Sequence, residues 1–384
     1  MFSETKCNGL CRESGSHKSE VKILSKNEKA KKTVKTISFM AIIILMAKFL
    51  GLLREVLIAS VYGQGYASDV LNASAQIPLL FFDMVLGVAI LSTFVPVFNQ
   101  YLERDGKERA IRFANNFMTV VAVITAVITL LGVVFAKPLV TLMFHGYTAE
   151  KITEIAGLLR ILFPSIIFTA VAYVAVGILQ SFGEFNIPSL ISFVSNLVMI
   201  LYLAVFRDKL GLVGVTVSML VAWALQLFIQ IPSLYKQGYR YHFSFDLKDP
   251  GLLEAAKLAL PILISSWVQP LCVVINMAFG STLGDGAVSG LNWANKIYII
   301  MVGVFAYAIT NFIFPKLSRL HTGEDSDGFA QMTRVSVGWI TYIIVFVAAL
   351  FLALPEPIIR VVFEHGEFTA ENTNLTAMAL FYYS

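Results

Sequence analysis

Charge is what this 384-residue sequence has least of: Asp, Glu, Lys and Arg make up 14% of it against 57% hydrophobic residues. Soluble globular chains carry about a quarter charged residues, so this balance excludes an ordinary water-soluble domain and leaves a polytopic membrane protein. Cysteine is also scarce. Cys7 and Cys11 fall in a polar leader and Cys272 in an apolar run. A C-x-x-x-C pair without a matching Cys or His cluster supports neither a zinc site nor a disulfide framework. Missing too are the G-x-x-x-x-G-K-[ST] phosphate loop, the G-x-S-x-G elbow and H-E-x-x-H, so no ATPase or hydrolase is supported and no enzyme is expected. His17, His145, His242, His321 and His365 all fall in the leader or in loops.

What is present begins with residues 1–36, a leader with nine Lys and Arg against four Asp and Glu. The apolar run after it is too long for the core of a cleavable signal peptide, so the leader reads as a polybasic cytoplasmic tail that orients the chain and attracts anionic lipid; no nucleic-acid partner is expected. Ten apolar runs follow, near 37–59, 68–100, 110–136, 152–182, 187–206, 211–235, 251–279, 286–315, 329–354 and 370–384. About 20 residues suffice to cross a bilayer as a helix, so several should tilt or project beyond it. Pro78, Pro164, Pro261 and Pro270 lie inside runs and should kink them. Arg104, Lys107 and Arg109, then Lys236, Arg240 and Lys248, then Lys316 and Arg319 occupy alternate loops, which places those loops and the N-terminus in the cytoplasm.

The first two runs carry ionisable groups at membrane depth. Lys48, Arg54 and Glu55 stand in the first, where a central Lys or Arg facing lipid costs roughly 2.5–3.5 kcal/mol, so they should face protein or a wet cavity. In the second, Asp69, Asn72, Gln76 and Asp83 fall on a helical stripe about 60° wide. That stripe reads as the lining of a polar cavity, with inter-helix packing as the plainer alternative.

An internal repeat at an offset of about 220 residues returns Phe144-His145-Gly146-Tyr147-Thr148-Ala149-Glu150 as Phe363-Glu364-His365-Gly366-Glu367-Phe368-Thr369-Ala370-Glu371, and matches Ala67, Leu71, Asn72 and Ile77 to Ala287, Leu291, Asn292 and Ile297. Six runs separate the copies, so both have the same membrane orientation. The expected fold is an all-α polytopic membrane protein. It has two six-helix lobes related by a pseudo-two-fold axis along the membrane normal: leader 1–36, first lobe 37–236, cytoplasmic linker 237–250 and an incomplete second lobe 251–384. The second lobe would need two more helices, and the sequence is expected to be a fragment. The repeat carries the polar stripe onto Ser289, Asn292, Lys296 and Gly303, which makes Lys296 the buried cation of the second lobe. Trp293 and Asn295 read as packing residues.

Polar groups facing inward between two lobes suit a secondary transporter. Lys48, Arg54 and Lys296 would make its site cationic, and an anionic substrate such as a phosphate or diphosphate would offset their burial through charge-assisted hydrogen bonds. Glu55 and Asp69 either neutralise these cations at rest or carry coupling ions.

The segments Ala47-Lys48-Phe49-Leu50-Gly51-Leu52-Leu53-Arg54-Glu55, Tyr62-Gly63-Gln64-Gly65-Tyr66-Ala67-Ser68-Asp69, Gln76-Ile77-Pro78 and Thr93-Phe94-Val95-Pro96 resemble the opening of the MurJ/MviN lipid II flippases of the MOP exporter superfamily. The likeness runs in order through 37–384 and includes the helix from Asn292 to Pro315. It implies a fourteen-helix flippase of the bacterial cytoplasmic membrane, a monomer, that moves an undecaprenyl-diphosphate-linked peptidoglycan precursor to the outer leaflet. Arg54 matches the family's G-x-x-R-[DE] arginine and Asp69 its [ST]-D aspartate. Lys48 and Lys296 stand where many members have Arg. Glu55, Asn72 and Gln76 complete the expected substrate-binding set. Two departures stand out: Asp83 follows a stretch where some relatives carry Arg, and Asn276 stands where some have an acidic residue proposed for sodium. No cofactor is implied, and coupling to sodium or to membrane potential is left open. The alternatives are a flippase for another lipid-linked oligosaccharide, a MATE-like multidrug or cation antiporter, and a non-transporting membrane scaffold.

Overall fold

In a bilayer each backbone N–H and C=O has to be satisfied within the chain, so single apolar runs of this length fold as helices. The computed structural model describes residues 39–84, 90–206, 209–322 and 326–384, and among these there is no strand. The leader, with Cys7 and Cys11, lies outside the described residues. Helix α1 spans 39–62. It is followed by α2 (Tyr66–Phe82), a π-helical turn (Ile90–Phe94), α3 (Val95–Arg104), α4 (Lys107–Val134), α5 (Ala136–Met143), α6 (Ala149–Leu162), α7 (Ser165–Ser181) and α8 (Asn186–Phe206). Then come α9 (Gly211–Phe228), α10 (Ile231–Lys236), α11 (Pro250–Ser266), α12 (Val268–Gly280), α13 (Ala287–Thr322), α14 (Ser326–Ala353), α15 (Pro355–Phe363) and α16 (Ala370–Tyr383). Among the described residues, six helical stretches are long and apolar enough to cross a membrane. The fold is an all-helical membrane bundle.

Several expected single helices are composite. The run 68–100 is α2, a π-helical turn and α3. Pro164 does more than kink its run: the chain leaves the helix at 163–164 and resumes as α7, because proline offers no N–H and clashes with the preceding turn. Pro270 sits in the first turn of α12, where a missing N–H breaks no bond, and the discontinuity falls just before it at Trp267. The connections 137–151 and 355–369, expected as loops, contain α5 and α15 at repeat-equivalent places.

Repeat-related helices meet, and at Asn72 and Asn292 the equivalent residues themselves pair. Ser68 Oγ lies 3.1 Å from Ser289 Oγ, and Asn292 Nδ2 donates to Asn72 Oδ1 at 2.7 Å, so α2 and α13 touch through matching faces. The connecting loops are exchanged reciprocally. Gly146 N donates to Ser281 Oγ at 3.3 Å, while Glu367 N donates to the carbonyl of Ser60 at 3.0 Å, the corresponding place in the other copy. A residue that contacts j′ while its counterpart contacts j is the signature of two-fold exchange. The cores agree with this. Ile58, Leu71 and Met199 share one cluster with Trp293, Ile297, Phe363 and Phe368, and Val70, Ala73 and Phe144 share another with Met277 and Val288. A third cluster, around Phe94, Phe98, Phe113 and Phe117, draws almost wholly on α2 to α7.

Candidate functional site

Among the described residues, two of the cavities that both copies line share a wall. The first, about 700 Å³, is lined by α1, α2, α7, α8, α9 and α13; the second, about 850 Å³, by α2, α11, α12, α13 and α16. Gln76, Asn292, Lys296 and Ile299 belong to both walls. In the first cavity Glu55 accepts from cations of both sequence copies: Arg54 Nη2 at 2.5 Å and Lys296 Nζ at 2.7 Å. The Glu55 side chain is nearly enclosed, whereas Arg54 and Lys296 remain 28% and 30% exposed. Both cations therefore present surface to the cavity while sharing one carboxylate. Arg54 is further braced by Asn196 of α8, which accepts from Nη1 at 2.9 Å and donates its own amide to the carbonyl of Ala47 at 3.1 Å. Lys48 lines the same cavity, is exposed, and makes no ion pair among the described residues. Among the described residues the charged lining is three cations and one carboxylate, a net charge of +2. Cations held in a partly dry wall without enough anions form a site for an anion.

Of the seven residues expected at a binding site, six line this cavity: Lys48, Arg54, Glu55, Asn72, Gln76 and Lys296. Asp69 does not. It is fully buried at the α2–α13 contact, where its carboxylate accepts from Lys151 Nζ at 3.0 Å and from the backbone N–H groups of Gly286 and Ser289 at 2.9 and 2.8 Å. A carboxylate at the start of a helix satisfies otherwise orphaned donors and complements the helix dipole, and that role consumes the lone pairs a ligand would need. The helical stripe of Asp69, Asn72, Gln76 and Asp83 thus divides by depth. Asp69 closes one end, Asn72 pairs with Asn292, Gln76 faces both cavities and Asp83 lines only the second.

Lys151 escaped the sequence reading. It is 2% exposed, bridges Asp69 and Asp285 (2.6 Å), and lies over the Tyr147 ring at 3.9 Å. The available signal was the repeat itself, which sets Lys151 against Asn372, a charge where the other copy has an amide. Asn196 was missed as well, the one amide in a run whose other polar side chains are three serines and Tyr202. Trp293 is fully buried against Phe363 and Phe368, as expected of a packing residue.

Comparison with known proteins decides the family. The family described as "MurJ: Lipid II flippase MurJ" matches residues 58–384. The chain belongs to that family. It is 26% identical over 367 residues to a probable lipid II flippase MurJ of Vibrio cholerae, covering 92% of this chain and 70% of the relative. It is 25% identical over 346 residues to the lipid II flippase MurJ of Burkholderia cenocepacia, covering 88% and 67%. Among solved structures, a lipid II flippase MurJ in an inward closed conformation superposes with a TM-score of 0.77 at 25% identity, over 89% of this chain and 71% of that one. A multidrug-resistance MATE transporter of the MOP superfamily, inward-facing, superposes with a TM-score of 0.69 at 15% identity, covering 89% and 79%, which speaks for a shared fold only.

Proposed function

We propose that this chain is a flippase that carries an undecaprenyl-diphosphate-linked peptidoglycan precursor across the bacterial cytoplasmic membrane, with its two repeats working as lobes that give alternating access to the cavity between them. The observation that carries this reading is the sharing of Glu55 by Arg54 and Lys296 from opposite copies, in a cavity with a net charge of +2. A diphosphate can take over the hydrogen bonds that Glu55 now receives. Arg54 offers a planar fork of donors that stays charged when desolvated, while Lys48 and Lys296 act as point charges. Family membership, and relatives that bear the name lipid II flippase, support the substrate class. In this reading the N-terminus and the segments 101–109, 236–250 and 316–328, which the helix ends share with the connections, are cytoplasmic and the protein works as a monomer. A drug or cation antiporter is the second reading, but the positive lining disfavours a cationic substrate.

The test is Arg54→Ala, followed for abundance, lipid-diphosphate binding and rescue of a flippase-depleted bacterium on the same samples. Loss of binding and rescue with normal abundance is expected, with Arg54→Lys recovering part. Normal binding by well-folded Arg54→Ala protein removes the residue from the site. Orientation is checked with a cysteine at Gly106, which an impermeant thiol reagent should reach only after the cells are opened.

A further inference from the structure

The connection from α10 to α11 is tied to α4 at a fixed depth. Asn115 Nδ2 donates to the Arg240 carbonyl at 3.5 Å, and the next residue, Asn116, accepts from the Asp246 N–H and donates to the Asp246 carbonyl, both at 2.7 Å. Fully extended, the chain from Arg240 to Asp246 would span about 20 Å, whereas adjacent residues lie about 4 Å apart at Cα, so the stretch between bows away from α4. The feet of this loop are firm. Tyr239 is buried, with its hydroxyl 3.6 Å from Met118 Sδ, and Asp249 pairs with Arg109 at 3.0 Å. Beyond them the loop bares its apolar side chains: Tyr241, Phe243, Phe245 and Leu247 are 49%, 76%, 48% and 56% exposed. Four such residues in seven positions of a tethered loop form an interaction surface rather than a solvated turn. Its depth follows from α4. Arg112 is the last charged residue of that helix, and from Phe117 to Val134 only three threonines interrupt the apolar sequence, so the two asparagines at the neck mark the boundary between headgroups and acyl chains. The charge around the loop has one sign in excess. Arg112, Lys236, Arg240 and Lys248 are exposed and make no ion pair among the described residues, against Asp246 on the loop itself, since Asp249 is taken by Arg109. A second copy of the loop, or the leader with its nine Lys and Arg, would bring more positive charge to this surface. Aromatic side chains flanked by unpaired cations at this depth fit a leaflet that carries anionic headgroups.

We infer that the 241–247 loop is a membrane anchor that places Phe243 and Phe245 at the headgroup–acyl boundary of an anionic leaflet, with Lys236, Arg240 and Lys248 engaging lipid phosphates. Insertion itself follows from the depth of the neck on α4 and is independent of the substrate. That the leaflet is the cytoplasmic one rests on the proposed orientation, which the labelling of Gly106→Cys decides separately.

The test uses the full chain in lipid nanodiscs, with Cys7, Cys11 and Cys272 changed to Ser and a fluorophore on Ser244→Cys, between the two phenylalanines. A nitroxide carried on the lipid acyl chain near the headgroup should remove most of the emission, and a water-soluble quencher should leave it. The same fluorophore on Gly106→Cys, in the turn before α4, should behave the other way round. Phe243→Ser combined with Phe245→Ser should hand the Ser244→Cys label over to the water-soluble quencher. Lipid choice is read by native mass spectrometry of protein released from nanodiscs of mixed phosphatidylglycerol and phosphatidylcholine. Retained lipid should be enriched in phosphatidylglycerol, and Arg240→Gln with Lys248→Gln should cut that enrichment by at least about fivefold, the effect of one such charge at a membrane surface. All these variants keep Asn115, Asn116 and Asp246, so the neck stays tied, and a melting curve on each confirms folding. A Ser244→Cys label quenched from water as readily as the Gly106→Cys label overturns the anchor. So does self-quenching of that label confined to nanodiscs holding two chains, which would assign the surface to a second copy. Equal retention of the two lipids by the unaltered protein overturns the anionic preference.

Discussion

The repeat builds the same cross-copy contact twice, once with charges and once without. On one side Lys151 joins Asp69 and Asp285, and Asp69 also receives the backbone N–H groups that begin α13. On the other, the equivalents Gln64 and Asn372 form a neutral network: Thr376 Oγ1 donates to Gln64 Oε1 at 2.7 Å, Gln64 Nε2 to the Gly286 carbonyl at 2.9 Å and Asn372 Nδ2 to the Gln64 carbonyl at 3.2 Å. The difference teaches how one geometry tolerates two chemistries. Buried charges are specific but fail badly when one member is lost, whereas amides and hydroxyls lose their bonds one at a time. In the alternating access proposed above, both contacts have to part. Separating them into water rather than lipid rehydrates the charges, so a charged closure is compatible with opening.

The largest effect expected is from Lys151→Ala, which strands the fully buried Asp69 carboxylate and should lower stability by about 3–5 kcal/mol. The sharper form of the test converts the charged side into the neutral one. Asp69→Ser, Lys151→Asn and Asp285→Gln combined should be less damaging than Lys151→Ala alone, because no unpaired charge remains. Thermal unfolding in detergent reads both, and a triple variant worse than the single would show that the charges contribute more than mutual compensation.

Next in size comes the pair of docked loops. A Cβ at Gly366 would run into the Ser60 carbonyl, and one at Gly146 into the Ser281 carbonyl, yet only Gly366 also has a positive φ, +64°. Both Ala substitutions should destabilise, with Gly366→Ala worse by roughly 1 kcal/mol or more for its left-handed backbone. Equal losses would mean that the clash alone matters. Smaller again is Thr376→Val on the neutral side, which removes one hydrogen bond and should cost about 1 kcal/mol.

How far this comparison could be read from residues alone depends on the kind of signal. Hydropathy located apolar runs that fold as helices, since an apolar run in lipid has few conformations open to it, and the offset of about 220 residues matched Asn72 to Asn292, which are hydrogen-bonded to each other. Helical periodicity placed Asn72 and Gln76 on one face with Asp69 but could not say how deep each sits, so Asp69 was grouped with the cavity although it belongs to the closure. Lys151 looked like a loop residue because its partners are 82 and 134 positions away. Breaks within runs were the other blind spot. Pro164 was visible, whereas the π-helical turn at Ile90–Phe94 contains no proline or glycine to mark it.

The smallest effect expected is a pH dependence on the neutral side. Glu364, at the end of α15, accepts from Thr373 Oγ1 at 2.7 Å and from Arg360 Nε at 3.2 Å, and ties the loop that docks on Ser60 to the start of α16. The Thr373 hydrogen bond, followed by those from Arg360 and its charge, holds the Glu364 carboxyl below its ordinary value, and nearby His365 acts in the same direction. A carboxylate whose folded-state pKa is depressed contributes stability above its unfolded value, near 4.5, and loses that contribution as pH falls through the lower folded value. Glu364→Gln keeps an acceptor for Thr373 but cannot titrate. The gap in melting temperature between the two proteins should therefore be present at pH 6 and shrink on acidification below about 4.5. Acid will also protonate other carboxylates, but these are common to both proteins and cancel in the difference. The effect should be slight because the group is solvent-accessible and Arg360 is shared with Glu356 at 2.6 Å. A gap that stays constant across this range would show that Glu364 braces the loop through shape and hydrogen bonding alone, leaving the neutral closure without any titrating support from this residue.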